Sequence, residues 1–154
     1  MSSQIKFLED RLNGISSSND DYSAIVVSKE PQLLRNLNWP ANTVWLDTID
    51  KPDCLDISVR SDLGVIFKQF EHMPSDLVMP LLARLRDCHC DELLVHSGGK
   101  SLTTREMLAL GFTRATSSES GGWFHYQREE FYEERTWNSP DQWAHPQNYK
   151  RFRW

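Results

Sequence analysis

Four short apolar runs constrain this chain more than any other feature: Ala24-Ile25-Val26-Val27, Thr43-Val44-Trp45-Leu46, Leu63-Gly64-Val65-Ile66-Phe67 and Leu93-Leu94-Val95. The first and third barely alternate between apolar and polar residues, as expected of strands covered on both faces. Stretches with apolar residues at helical spacing intervene. Leu33, Leu34 and Leu37 follow Pro31, and Leu77, Leu81, Leu82 and Leu85 follow Met73-Pro74. Ile5, Leu8 and Leu12 mark a further helix before the first run. Strand and helix in alternation predict a mostly parallel sheet with helices on both faces, joined by right-handed crossovers. The expected fold is a three-layer α/β domain.

Local signals refine this outline. Pro31 suits a first helical turn, and Trp39-Pro40 ends the helix that it opens. Residues 48–61 have no clear period. Pro80 lacks the donor a helix interior needs and clashes with the preceding turn, so its helix is expected to bend there or to become regular only near residue 80. Thr103 and Glu106 have capping-box spacing, Leu102 and Met107 sit at the staple positions, and Gly111 stands where a helix would close. Residues 112–118 and 123–128, joined by Glu119-Ser120-Gly121-Gly122, read as an antiparallel hairpin. Past residue 128 the aliphatic core formers give way to an irregular aromatic tail, so the expected division is a domain over 1–128 and a tail over 129–154, packed on the domain or on a partner.

The chain has 154 residues, 39% of them hydrophobic, enough for one domain with a genuine core. Its formal net charge of −5 argues against a broad nucleic-acid surface. No run is long enough for a membrane span, and the opening Met1-Ser2-Ser3-Gln4-Ile5 lacks the pattern of a secretory signal. Three cysteines, Cys54, Cys88 and Cys90, are too few and too odd in number for a disulfide framework. They point to a reducing, cytoplasmic setting.

Several of these elements together resemble the second half of a class I, Rossmann-like methyltransferase. Asp62-Leu63-Gly64-Val65-Ile66-Phe67 followed by Phe70-Glu71-His72-Met73-Pro74 is similar to that family's fourth strand and the loop after it. Leu93 to Val95 would then be the fifth strand. Leu108-Ala109-Leu110-Gly111-Phe112 resembles the junction before the last hairpin, whose arms would be the sixth and seventh. The resemblance spans residues 23–128 and implies a mostly parallel sheet with a C-terminal antiparallel hairpin. It also implies that Asp47, ending the second strand, stands where the family holds the cofactor ribose. Two departures bear on function. The family's first strand runs into a Gly-rich loop that lets backbone approach the cofactor, whereas here it runs into Ser28-Lys29-Glu30-Pro31. Residues 48–61 leave little room for a third strand and its helix. The chain also resembles an uncharacterised gammaproteobacterial family of about this size with a Trp-, Pro- and Asn-rich tail closing on Phe-Arg-Trp, carried here by residues 137–154.

Other motifs have plainer explanations. His96-Ser97-Gly98-Gly99-Lys100-Ser101 ends like a phosphate loop, but the first glycine of that motif would fall at Leu94. It reads as a strand-to-helix turn. Cys88-His89-Cys90 invites a metal, yet adjacent side chains diverge and usual ligand spacings are wider. Ser97 lacks the surroundings of a nucleophile elbow. Glu71-His72 lies where methyltransferase-like proteins place substrate-side groups, and reads more simply as a polar loop.

The sequence therefore predicts a non-catalytic, methyltransferase-like binding or adaptor protein without a cofactor or metal. Its expected partner is another protein, met through Trp143, Tyr149, Arg151, Phe152, Arg153 and Trp154, residue types typical of interface anchors. Two alternatives stand beside it. One is an S-adenosylmethionine-dependent methyltransferase with an atypical pocket around Ser28, Asp47 and Phe70. The other is an RNA-associated factor that stacks bases on the basic, aromatic terminus.

Overall fold

The computed structural model describes residues 3–16, 21–46, 60–98, 102–116 and 121–131. Helix α1 (Ser3–Ser16) leads into strand β1 (Ser23–Ser28), a 3-10 turn (Pro31–Leu33) and β2 (Asn42–Leu46). Strand β3 (Ser61–Phe67) is followed by a second 3-10 turn (Phe70–His72), α2 (Ser75–Arg84) and a single π-helical turn (Leu85–His89). Then come β4 (Cys90–Ser97), α3 (Thr104–Ala109), β5 (Thr113–Arg114), β6 (Gly122–Gln127) and α4 (Arg128–Phe131). The six strands form one sheet in the order β2-β1-β3-β4-β6-β5. The first four are parallel, and β6 is antiparallel to both β4 and β5.

Strand alternation divides the core in two. Ile25, Val27, Ile66, Leu93 and Val95 face α2 and α3, where they meet Val78, Leu81, Leu82 and Met107. Ala24, Val26, Val65, Phe67 and Leu94 face the other way, against Leu8 and Leu12 of α1. Successive side chains of a strand point to opposite faces, so helices cover both sides and the expected three layers are present. Gly64 lets β3 and β4 close up: a Cβ there would lie 2.6 Å from both the Cys90 sulfur and a Leu93 methyl.

The α3 signals work as the sequence suggests. The Thr103 hydroxyl accepts from the Glu106 N–H at 3.3 Å, and the Glu106 carboxylate accepts from the Thr103 N–H at 2.8 Å. At the other end Gly111 has φ 86°, and the Phe112 N–H reaches the Met107 carbonyl at 3.1 Å. That 6→1 bond, with Gly111 left-handed, is a Schellman closure.

Two expectations need revision. The helix anticipated after Pro31 is only a 3-10 turn, although Leu34 is fully buried. The Trp39 indole N–H donates to the Leu34 carbonyl at 2.7 Å, taking an acceptor that a continuing helix would use, and Pro40 follows. Helix α2 starts at Ser75 and runs through Pro80, which lies on its exposed side. The proline there costs only the bond to Asp76 in the first turn. Among the described residues no helix is long and apolar enough to cross a membrane.

Candidate functional site at the carboxyl ends of the parallel strands

The connection from β1 leads outward to β2, while β3 lies on the opposite side of β1. The strand order thus reverses between β1 and β3. In open α/β sheets, ligands bind outside the carboxyl ends of the strands at such a switch point. The residues there are Ser28 at the end of β1 with Glu30 beyond it, and Phe67 at the end of β3 with Lys68 and Gln69 beyond it.

Ser28 and Phe67 are register partners. Ser28 is buried, and its hydroxyl accepts from the Glu30 N–H at 3.0 Å. The Glu30 carboxylate receives the Lys68 ammonium, also at 3.0 Å, so an ion pair links the two strand ends. Lys68 has φ 51°, a left-handed conformation that a residue with a Cβ adopts at a cost of about 1–2 kcal/mol. Its ammonium also stands 5.5 Å from the centroid of the Phe67 ring.

Beside this pair, on the α1 face, is a cavity of about 490 Å³. Gln4, Ile5 and Glu9 of α1 form one wall, the stretch from Gln32 to Leu37 another, and Phe67 with Lys68 the floor. Its size is that of a small-molecule site. Its surface is apolar from Ile5, Leu33, Leu37 and Phe67, with one cation, Lys68, and one carboxylate, Glu9.

His96 lies behind the Phe67 ring, 5.2 Å away between centroids, with the edge of Trp123 at 5.3 Å. The imidazole is buried, and among the described residues neither ring nitrogen has a hydrogen-bond partner. Burial pushes it below the usual histidine range; the Glu71 carboxylate opposes this and the Lys68 ammonium adds to it. Glu71 rests against Gly98, where a Cβ would collide with its carboxylate.

The opposite end of the sheet carries a second cavity, of about 480 Å³, lined by Tyr22, Asp62 and Glu92 among others. Two of its carboxylates, Asp91 and Glu92, are engaged in ion pairs. Arg11 of α1 meets Glu92 at 2.6 Å and His125 meets the same oxygen at 2.9 Å. Burial works to raise the Glu92 carboxyl, but hydrogen bonds from His125 and Arg11 outweigh it and hold it below the usual range. Burial, helped by Glu92 and Asp62, pushes the Tyr22 phenol up to about 12. This cluster fastens α1 to the sheet.

The residues singled out from sequence fall in different places. Phe70 is buried in the core on the α2 side, and neither it nor Ser28 lines the larger cavity. Asp47 and the terminal residues Trp143, Tyr149, Arg151, Phe152, Arg153 and Trp154 lie outside the described residues, as do Gly99, Lys100 and Ser101. Cys88 faces solvent while Cys90 is buried, its thiol pushed up to about 12 by burial. Sequence reasoning passed over Glu9 and Lys68, and took His96 only as the start of a strand-to-helix turn. Lys68 was within reach, because it directly follows the third strand.

The model of a family of unknown function, DUF6231, matches residues 6–154. This chain belongs to that family. No curated protein matches the sequence. Among solved structures, the DUF6231 chain is similar to magnesium protoporphyrin IX methyltransferase from Synechocystis PCC 6803 with bound S-adenosylmethionine. The two are 10% identical with a TM-score of 0.50 over 79% of this chain and 76% of that one. The same enzyme with bound S-adenosylhomocysteine gives a TM-score of 0.48 at 9% identity, over 79% and 78% of the two chains. The match establishes a methyltransferase-like fold. It also corrects the expectation of no cofactor: the matching fold was solved around S-adenosylmethionine, so it points to that molecule rather than to none. A missing Gly-rich loop argued for absence only if the ligand had to lie against that turn, and the open space here is beside it, under α1.

Proposed function

We propose that this DUF6231 chain is a methyltransferase-like binding protein that holds S-adenosylmethionine, or a nucleoside–amino acid of that class, in the cavity between α1 and the carboxyl end of β3. The cavity itself carries the proposal: about 490 Å³ at the switch point, apolar side chains from Ile5, Leu33 and Leu37 alternating with the amides of Gln4, Gln32 and Asn36, one ammonium and one carboxylate. Residues at the turn after β1 do not fit the ligand, because Ser28 is buried and its hydroxyl is engaged with Glu30. Those lining the cavity do. Lys68 would take the amino-acid carboxylate in place of Glu30, and Glu9 would face the ammonium. Leu33 and Leu37 would cover the adenosyl portion. When bound, the ligand would offer an activated methyl group.

Calorimetry of the whole chain with S-adenosylmethionine and S-adenosylhomocysteine tests this. The expected result is binding of both, weakened about tenfold in Lys68→Gly, as for loss of one charge-assisted contact. Glycine suits φ 51° and the lost ion pair is half exposed, so that variant should melt close to wild type. No binding by the wild-type protein would refute the proposal.

A protein-docking role is the second reading, favoured by the Glu30–Lys68 pair across the strand ends and the glycine-free turn, which suit a static surface. Affinity purification from the native cell, with and without residues 137–154, checks it. If no partner depends on that segment, the role fails.

A further inference from the structure

His96 sits seventh in an eight-residue strand, close to the carboxyl end of the sheet. Its two nitrogens are buried without a hydrogen bond to any described residue, although buried polar groups are nearly always paired and an exception calls for an explanation. The local structure offers no compensating gain. Phe67 and Trp123 flank the ring, and a leucine or phenylalanine would satisfy the same aromatic surroundings without orphaned polar atoms. Phe67 also lines the cavity, although the residue is only 1% exposed, and the imidazole packs against its ring from the buried side.

We infer that His96 recognises the nucleoside half of the ligand, reached when the Phe67 ring turns aside. This rests on the ligand class proposed above. Lys68 and Glu9 match the charged amino-acid end, which leaves the uncharged nucleoside for a neutral group. A neutral imidazole has one donor and one acceptor. Ribose hydroxyls and the amino-heterocycle edge of adenine present the same pair. Burial, which disfavours the imidazolium, keeps the ring in that neutral form.

The test is calorimetry of the full chain with S-adenosylhomocysteine, adenosine and methionine, together with thermal melts without ligand. His96→Leu is expected to melt about 3 °C higher, as relief of orphaned polar atoms allows. It should bind adenosine and S-adenosylhomocysteine about tenfold more weakly and methionine unchanged. His96→Asn keeps a donor and an acceptor and should bind adenosine within about threefold of wild type. Should the leucine variant fail to fold, the wild-type ring still reports: adenosine should move the His96 nitrogen resonances. The inference is overturned if His96→Leu binds adenosine as tightly as wild type, if it melts lower, or if those resonances do not move. If wild type binds neither S-adenosylmethionine nor S-adenosylhomocysteine, the ligand class itself is wrong, and the role of His96 falls with it.

Discussion

Replacing Gly64 by alanine measures how closely β3 and β4 are packed. The added methyl would lie 2.6 Å from the Cys90 sulfur and 2.6 Å from a Leu93 methyl, well inside contact distance. Inserting a methyl into a filled core costs about 1–3 kcal/mol. The backbone of Gly64 is not left-handed, so alanine also restricts the unfolded chain and returns about 0.4–1 kcal/mol. The net loss is about 1–2 kcal/mol, or a fall in melting temperature of about 2–8 °C for a chain of this size. Cys90→Ala in the same background removes the sulfur and leaves the Cys90 Cβ at an ordinary 3.4 Å, while the Leu93 contact persists. The double variant should therefore recover about 1 kcal/mol relative to the sum of the single ones. Urea denaturation followed by tryptophan emission gives all four corners of this cycle. Gly64→Ala at or above wild-type stability would refute the packing argument, as would additivity within about 0.3 kcal/mol.

Thr103→Ala should cost about 1 kcal/mol in urea titrations, because the hydroxyl receives the Glu106 N–H at the start of α3. Stability should also fall in acid. Glu92 binds its proton less readily folded than unfolded, so its contribution is present above the unfolded pKa of about 4.3 and is lost as pH drops through the lower folded value. His96 is likewise lowered, so its neutral burial begins to cost stability as pH falls below the unfolded value of about 6.5. His96→Leu should flatten the slope of the urea midpoint between about pH 5.5 and 7.5, whereas Glu92→Gln should flatten it only at lower pH. An unchanged slope in either variant would contradict the assignment.

Much of the fold was legible because its signals are local. A β-branched run such as Ala24 to Val27 has few ways to be buried except as an inner strand, and the α3 boundaries are written in Thr103, Glu106 and Gly111. The segment after Pro31 was misjudged because its leucines fit a helix and a compact turn equally well. The deciding contact, Trp39 with the Leu34 carbonyl, depends on a side chain folding back. The candidate site was harder still. Glu9 and Lys68 belong to one cavity only because α1 docks on the far side of the sheet, and no spacing in the chain announces that. Attention to the strand ends themselves led instead to Ser28, at the end of β1, and Phe70, just after β3, both of which the fold commits to its interior.

The indole N–H of Trp123 donates to the carbonyl of Gln4 at 2.8 Å, a bond between positions 119 apart. Synthesis is vectorial, so α1 can settle through Leu8 and Leu12 on β1 and β3 as they appear, whereas this bond has to wait for the last of the described strands. Until residue 123 has emerged, the cavity wall of Gln4, Ile5 and Glu9 lacks its tie to β6, a fastening that reaches it from the far end of the described chain.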